Sequence, residues 1–207
     1  MNRKRWVAAA LVCTALAGVG LLPRADADAA DEIKRLAGLM DWKPGTVVAD
    51  IGAGDGRYAF AAAQLVGRSG KVFATEIDQE KLAKLRSQVT KRDLTNVIVV
   101  ESKEADTNLP MECCDAIFLR RVYHHLTKPV EFDAALVRSL KPGGRLAIIE
   151  FPPRSGLEPV EGVPANRGGH GIPQKVLIEE LISTGLQLVK AVNDWPAGDY
   201  CVLFVRK

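Results

Sequence analysis
The run Val47-Val48-Ala49-Asp50-Ile51-Gly52-Ala53-Gly54-Asp55-Gly56, followed by Lys71-Val72-Phe73-Ala74-Thr75-Glu76, decides the fold. The first stretch is apolar and breaks into glycines, and the second is apolar and ends in an acid. Between them lies an alanine-rich segment, 57–65, with helical character. Continuous apolar runs are what strands buried on both faces look like, so strand, glycine turn, helix and strand read together as one βαβ unit of a parallel sheet. Ligands of such sheets sit at the first βα turn, and a nucleotide-like ligand is the first expectation.

The charges in the turn narrow that ligand. A dinucleotide-binding turn, G-x-G-x-x-G, sets a pyrophosphate against backbone N–H groups at a helix N-terminus. Here the spacing is G-x-G-x-G, Arg57 stands where the third glycine belongs, and Asp50 and Asp55 flank the turn. Those acids would repel a phosphate, which argues against an NAD-dependent oxidoreductase. They would attract a ligand bearing an ammonium and a sulfonium, because charge-assisted contacts are about twice as strong as neutral ones. S-adenosylmethionine has that charge pattern. Glu76, at the tip of the next strand, is placed to accept from a ribose diol under either reading.

Beyond the first unit, strand and helix signals alternate as a doubly wound sheet requires. Helical spacing is found over 33–40, 80–91, 130–140 and 174–183, and strand patterns over 46–51, 71–76, 97–101, 115–119, 145–151, 187–192 and 200–205. Pro142-Gly143-Gly144 reads as the turn before the fifth strand. Residues 152–171, rich in proline, glycine and charge, form a long connection of the kind that is more often functional than idle.

With these residues in view, the chain resembles the class I S-adenosylmethionine-dependent methyltransferases over 33–207. The resemblance is carried by the 50–56 loop, Glu76, Tyr123-His124-His125-Leu126 and Leu140-Lys141-Pro142-Gly143-Gly144-Arg145-Leu146. It implies an α/β, doubly wound, Rossmann-like seven-stranded sheet, mostly parallel with an antiparallel last strand and helices on both faces. It also implies methyl transfer from S-adenosylmethionine to an O, N or C nucleophile of a small-molecule acceptor. The cofactor-binding residues it points to are Asp50, Gly52, Ala53, Gly54, Gly56, Glu76 and Ile77. Asp106 is the choice for the acid near the adenine amino group, although Glu101 and Glu104 leave the register open.

Arg120 and Arg121 follow the fourth strand at the sheet's carboxyl edge, where one is expected to meet the cofactor carboxylate and at least one to point away; Arg120 is placed in the cofactor set. Tyr123, His124 and His125 are the candidates for shaping the transfer site. A histidine of near-neutral pKa would accept a proton from a hydroxyl or amine. His170, among glycines before the helix that lies over the pocket in relatives, suits a closing loop. Tyr123, His124 and His170 are therefore the catalytic candidates. Trp195 and Tyr200 are expected in the core ahead of the acceptor pocket.

The chain's 207 residues and net charge of +3 fit one domain. The excess charge belongs to residues 1–27, and the remainder has equal numbers of basic and acidic residues, so no basic face for nucleic acid is implied. Asn2-Arg3-Lys4-Arg5, the apolar run 6–22 and Ala25-Asp26-Ala27 make a secretory signal pattern, with a membrane anchor as the alternative. The domain division is thus 1–27 and 28–207, with an exported, periplasmic or membrane-anchored location and membrane contact only through that segment. Cofactor supply from the cytosol pulls the other way and leaves an exported, non-catalytic binding module as the alternative function. Cys113, Cys114 and Cys201 are an odd set for a disulfide framework, and no metal site is expected.

Overall fold
The computed structural model describes residues 24–207. Its elements are α1 Arg24–Met40, β1 Val47–Ile51, α2 Arg57–Val66, β2 Lys71–Glu76, α3 Gln79–Lys91, β3 Val97–Glu101, β4 Cys114–Arg120, α4 Pro129–Ser139, β5 Leu140–Glu150, α5 Gln174–Ser183, β6 Gln187–Trp195 and β7 Asp199–Val205. One seven-stranded sheet has the order β3-β2-β1-β4-β5-β7-β6. β1 to β5 pair in parallel, and β7 runs antiparallel to both β5 and β6. This is the architecture expected from the sequence.

Successive side chains of a strand face opposite sides, and the central strands use both sides for core. Val48, Ala74, Ala116, Phe118 and Leu203 pack with Ile33, Leu36 and Met40 of α1 and Ala59, Ala63 and Val66 of α2. Their strand neighbours Ala49, Phe73, Ile117, Leu119 and Val202 pack with Phe132 and Leu136 of α4 and Leu177 and Leu181 of α5. The alternation explains why these strands show no polar face in the sequence.

Two boundaries differ from the sequence reading. β5 begins at Leu140, directly after α4, so Pro142-Gly143-Gly144 lies within the ladder instead of before it. The Gly143 N–H donates to the Arg206 carbonyl at 2.7 Å and the Arg206 N–H to the Gly144 carbonyl at 2.9 Å. A bulge opposite Cys114 and Ala116 takes up the irregularity. α1 begins well before Ile33, so the division expected after residue 27 falls inside a helix; residues 1–23 of the expected leader lie outside the described residues. Among the described residues no helix is long and apolar enough to cross a membrane.

Strand order reverses at β1, whose neighbours β2 and β4 are reached by connections running in opposite directions. At that reversal the loops at the carboxyl ends diverge and leave a crevice. The glycines make its floor possible. Gly56, with φ +84°, caps α2, and a Cβ there would lie 2.4 Å from Phe60 and 2.6 Å from Leu85. Gly56→Ala is expected to cost about 1–3 kcal/mol through overpacking and positive φ. Urea unfolding reads that loss, and an unchanged midpoint would show that the turn is free to move.

Candidate functional site
The crevice holds a cavity of about 550 Å³ bounded by Gly52 and Gly54 after β1, Glu76 and Ile77 after β2, Ser102 to Glu104 after β3, and Arg120 to Val122 with His125 after β4. A second hollow, about 840 Å³, shares Gly52, Gly54 and Arg120 with it and is walled by α1 through Asp28, Asp31 and Glu32. Both open at the carboxyl edge of the sheet.

Glu76 joins the two loops that form the cavity floor. Its Oε2 accepts from the Gly54 N–H at 3.0 Å, and its Oε1 from the Ile77 and Asp78 N–H groups at 2.8 and 3.1 Å. Gly52 has φ +70°, and a Cβ on it would sit 2.6 Å from Val122, so the turn after β1 touches the segment after β4 only because no side chain intervenes. Asp50 lies beneath this turn and is 3% exposed. Burial, helped by the nearby Asp55 and Glu76 carboxylates, pushes its carboxyl up to about 8 against the pull of the Ala59 N–H. Its Oδ2 is buried without a hydrogen-bond partner.

Arg120 reaches the wall of both hollows, but its guanidinium is committed elsewhere. It donates from Nε and Nη2 to the two carboxylate oxygens of Glu32, each at 2.9 Å. Tyr58 and Trp195 donate to the same carboxylate, at 3.1 and 3.0 Å. Burial opposes the Glu32 charge, yet the Arg120, Trp195 and Tyr58 donors outweigh it and hold its pKa below the usual carboxylate value. Arg121 is fixed in the same way, with two 2.8 Å bonds to the buried Asp199. Both arginines are therefore ion-paired, where the sequence reading aimed one of them at a cofactor carboxylate.

The other expected site residues fall into two groups. Gly52, Gly54, Glu76, Ile77 and Arg120 border the first cavity, and Ala53 borders the second hollow. Asp50 and Gly56 lie under the turn. Asp106 is turned away: it bonds the Arg138 guanidinium at 2.7 Å, and Ser102 and Lys103 occupy the cavity wall after β3. Tyr123 is also absent from the cavity. Its ring is fully buried between the sheet and α4, and its hydroxyl donates to Asp133 at 2.8 Å. Burial raises that phenol far above its ordinary value and pushes Asp133 up to about 7. Trp195 and Tyr200 are core residues, as expected.

The three histidines form one group at the ends of β4 and β5. His125 lines the cavity. Its ring centroid lies 4.0 Å from that of His124, which in turn lies 5.3 Å from His170. Burial first, then His124 and His170, push the His125 pKa down to about 4, so it is neutral at pH 7 and a weaker base than the near-neutral histidine expected. His124 is buried behind it, with Nδ1 at 2.8 Å from Glu150. Among the described residues no group of three or more His, Cys, Asp or Glu side chains is arranged to hold a metal ion. Cys113 and Cys114 are free thiols at the amino end of β4, away from this edge.

Glu32 is absent from the residues expected at the site, although the sequence carries a signal for it. Ala29, Glu32, Leu36 and Met40 recur at helical spacing, so an acid sits on the apolar face of α1. Glu150 was likewise hidden, as the last residue of an apolar strand.

Comparison with known proteins agrees with this geometry. Residues 49–148 match the family model described as a methyltransferase domain. A solved S-adenosylmethionine-dependent methyltransferase from Aquifex aeolicus is 27% identical and superposes with a TM-score of 0.72 over 84% of this chain and 89% of its own. Residues 49–148 thus carry a methyltransferase domain, and the chain as a whole is similar in fold and sequence to an S-adenosylmethionine-dependent methyltransferase. Ubiquinone/menaquinone biosynthesis C-methyltransferases UbiE from Francisella tularensis subsp. novicida and Bordetella parapertussis are 29% and 32% identical over 53% of this chain. The matched stretch spans only 44% and 42% of those relatives. The [4+2]-cyclase SpnF, 17% identical with a TM-score of 0.71 over 86% of this chain and 81% of its own, shares the fold.

The cofactor of this family fits the residues present. It brings an ammonium and a sulfonium and no phosphate, and the Asp50 carboxyl, whose Oδ2 has no hydrogen-bond partner, lies beneath the loop, where an arriving cation would favour its ionised form. A Cβ on Gly54 would meet nothing nearer than the Gly52 carbonyl at 4.0 Å, so the space over the loop is open. Ile77, 55% exposed, presents a flat apolar surface beside Glu76.

The raised Asp50 pKa sets a pH dependence. An unfolded Asp titrates near about 4, so the native state holds an extra proton from there up to about 8. The stability present below the lower value is lost as pH rises through the upper one. Melting temperatures of the ligand-free protein are expected to fall from about pH 5 to about pH 8 more in wild type than in Asp50→Asn. Parallel curves would show that Asp50 is ionised throughout.

Proposed function
We propose that this protein binds S-adenosylmethionine in the cavity at the ends of β1, β2 and β4 and transfers its methyl group to an oxygen, nitrogen or carbon of a small molecule. The observation that carries the reading is Glu76, whose carboxylate ties the glycine turn to the β2 loop at the cavity floor. When bound, S-adenosylmethionine supplies an electrophilic methyl group on a sulfonium that leaves readily. The task left to the chain is alignment and exclusion of water, which contributes about 7–11 kcal/mol in favourable cases. Glu76 and the glycines orient the ligand. The ion pairs Arg120–Glu32 and Arg121–Asp199 keep free cations away from a cationic ligand. A small acceptor accords with the neutral charge balance of residues 28–207, and a carbon acceptor accords with the names of the UbiE relatives.

Calorimetry of the full chain with S-adenosylmethionine, followed by incubation of a small-molecule extract with the methyl-deuterated cofactor, tests the proposal. Binding is expected to weaken by roughly 10- to 150-fold in Glu76→Ala, the loss of one charged hydrogen-bonding partner at about 1.5–3 kcal/mol. A trideuteromethylated small molecule should appear with wild type and fade with the variant. Tight binding without any labelled product would favour a binding module over an enzyme, and unchanged affinity in a folded Glu76→Ala would sink the role of Glu76.

A further inference from the structure
Away from the crevice, a groove of about 380 Å³ runs between α4 and α5. We propose that it binds a small aliphatic ammonium ion, with the Asp133 carboxylate as the counter-charge. The methyl-transfer reading plays no part in this site.

Two helix faces make the groove. Pro129, Val130, Asp133, Ala134 and Val137 share one side of α4 by their spacing, and Glu180, Ser183 and Thr184 share the facing side of α5. Asp133 is the most buried of them, at 2% exposed, and Val130 stands exposed at the rim. The two carboxyl oxygens of Asp133 are treated differently. Oδ2 accepts from the Tyr123 hydroxyl at 2.8 Å, and Oδ1 is buried with no partner. Leaving a buried acceptor unmade is costly, so an orphaned oxygen at the wall of a groove points to a donor that arrives with a ligand.

The polar side chains of the groove accept and do not donate. The Ser183 hydroxyl gives its hydrogen to the Glu180 carbonyl at 2.6 Å and the Thr184 hydroxyl to the Leu181 carbonyl at 2.7 Å, which leaves each oxygen with lone pairs only. An ionised Glu180 is acceptor-only as well. A ligand that satisfies this wall must bring donors, and an ammonium group brings three N–H bonds and no acceptor. The rest of the lining, Pro129, Val130, Ala134 and Val137, is apolar and suits a short hydrocarbon chain. A bare metal ion would leave that surface without a partner.

Charge points the same way. Three titratable groups from other elements face Asp133: Tyr123 from the turn after β4, Arg167 from the connection before α5, and Glu180 from α5. Arg167 is the one cation of the three, and its donors are spent. It bonds the two carboxylate oxygens of Glu180 at 2.9 and 3.1 Å and the carbonyls of Leu126 and Tyr123 at 2.9 and 3.0 Å. Glu180 is thereby neutralised, and Asp133 is left as the acid without a counter-ion. Burial, with Glu180 beside it, outweighs Tyr123 and Arg167 and pushes the Asp133 carboxyl up to about 7. An arriving cation favours the ionised form, so binding drives a proton from Asp133 to water.

Titration of the isotope-labelled full chain with n-butylammonium chloride, followed by amide NMR, tests the site without any cofactor. Saturable shifts are expected on α4 and α5 around Asp133 and Glu180, and n-butanol, which has the same chain and no charge, should not reproduce them. Affinity should be about tenfold higher at pH 8 than at pH 6, the change in ionised fraction of a group that titrates near 7. Asp133→Asn keeps the shape of the side chain and should abolish the shifts. Ala134→Trp, at an exposed position on the groove wall, should block them with Asp133 intact and decides the matter if the first variant folds poorly. No saturable shift in wild type, an equal response to n-butanol, binding that survives in either folded variant, or affinity indifferent to pH overturns the proposal.

Discussion
The cavity depends on one carboxylate receiving backbone N–H groups from two loops. Glu76 stands at the end of β2 and accepts from Gly54 beyond β1 and from Ile77 and Asp78 beyond its own strand. Parallel strands deliver their carboxyl ends to one edge, and backbone donors exposed there need acceptors. By meeting them with a charge, the chain holds a glycine turn in a conformation that other residues avoid. It also leaves an acidic lip of the kind that suits a polyhydroxylated, cationic nucleoside.

A second constraint concerns the cations around that lip. Arg120 and Arg121 end β4 at the crevice, where unpaired guanidinium groups would oppose a sulfonium. Glu32 from α1 and Asp199 from the start of β7 neutralise them. Glu32 also gathers Tyr58 of α2 and Trp195 of β6, so that α1 is fastened over the crevice by polar bonds as well as by its apolar face. The arginines thus become structural posts. The histidine group beyond them uses the same device in reverse, with a buried carboxylate orienting an imidazole whose second nitrogen is left free.

The seven-stranded sheet and the glycine turn after β1 were legible because they follow from local rules. Apolar runs mark buried strands, the glycines mark the turn, and the G-x-G-x-G spacing with its two flanking acids departs from the dinucleotide-binding pattern. Partnerships across the sequence were not legible. Glu32 and Arg120 are 88 residues apart, and nothing local links them. Asp106 was one of three nearby acids, and its capture by Arg138 depends on where α4 lies. Tyr123 and His124 are adjacent in sequence yet reach Asp133 and Glu150 respectively, because the short 3-10 turn that carries them directs consecutive side chains to different sides. β5 started early because pairing with β4 and the Arg206 strand end overrode the turn propensity of Pro142-Gly143-Gly144.

The central claim is that the cavity over Gly52, Gly54 and Glu76 is the cofactor site. A crystal structure of the full chain grown with S-adenosylhomocysteine tests it most directly. The account predicts ribose hydroxyls within hydrogen-bond reach of Glu76 and the base against Ile77. A nucleoside bound in the α1 hollow, with Glu76 still holding Gly54 and Ile77 and touching no ligand, would contradict it.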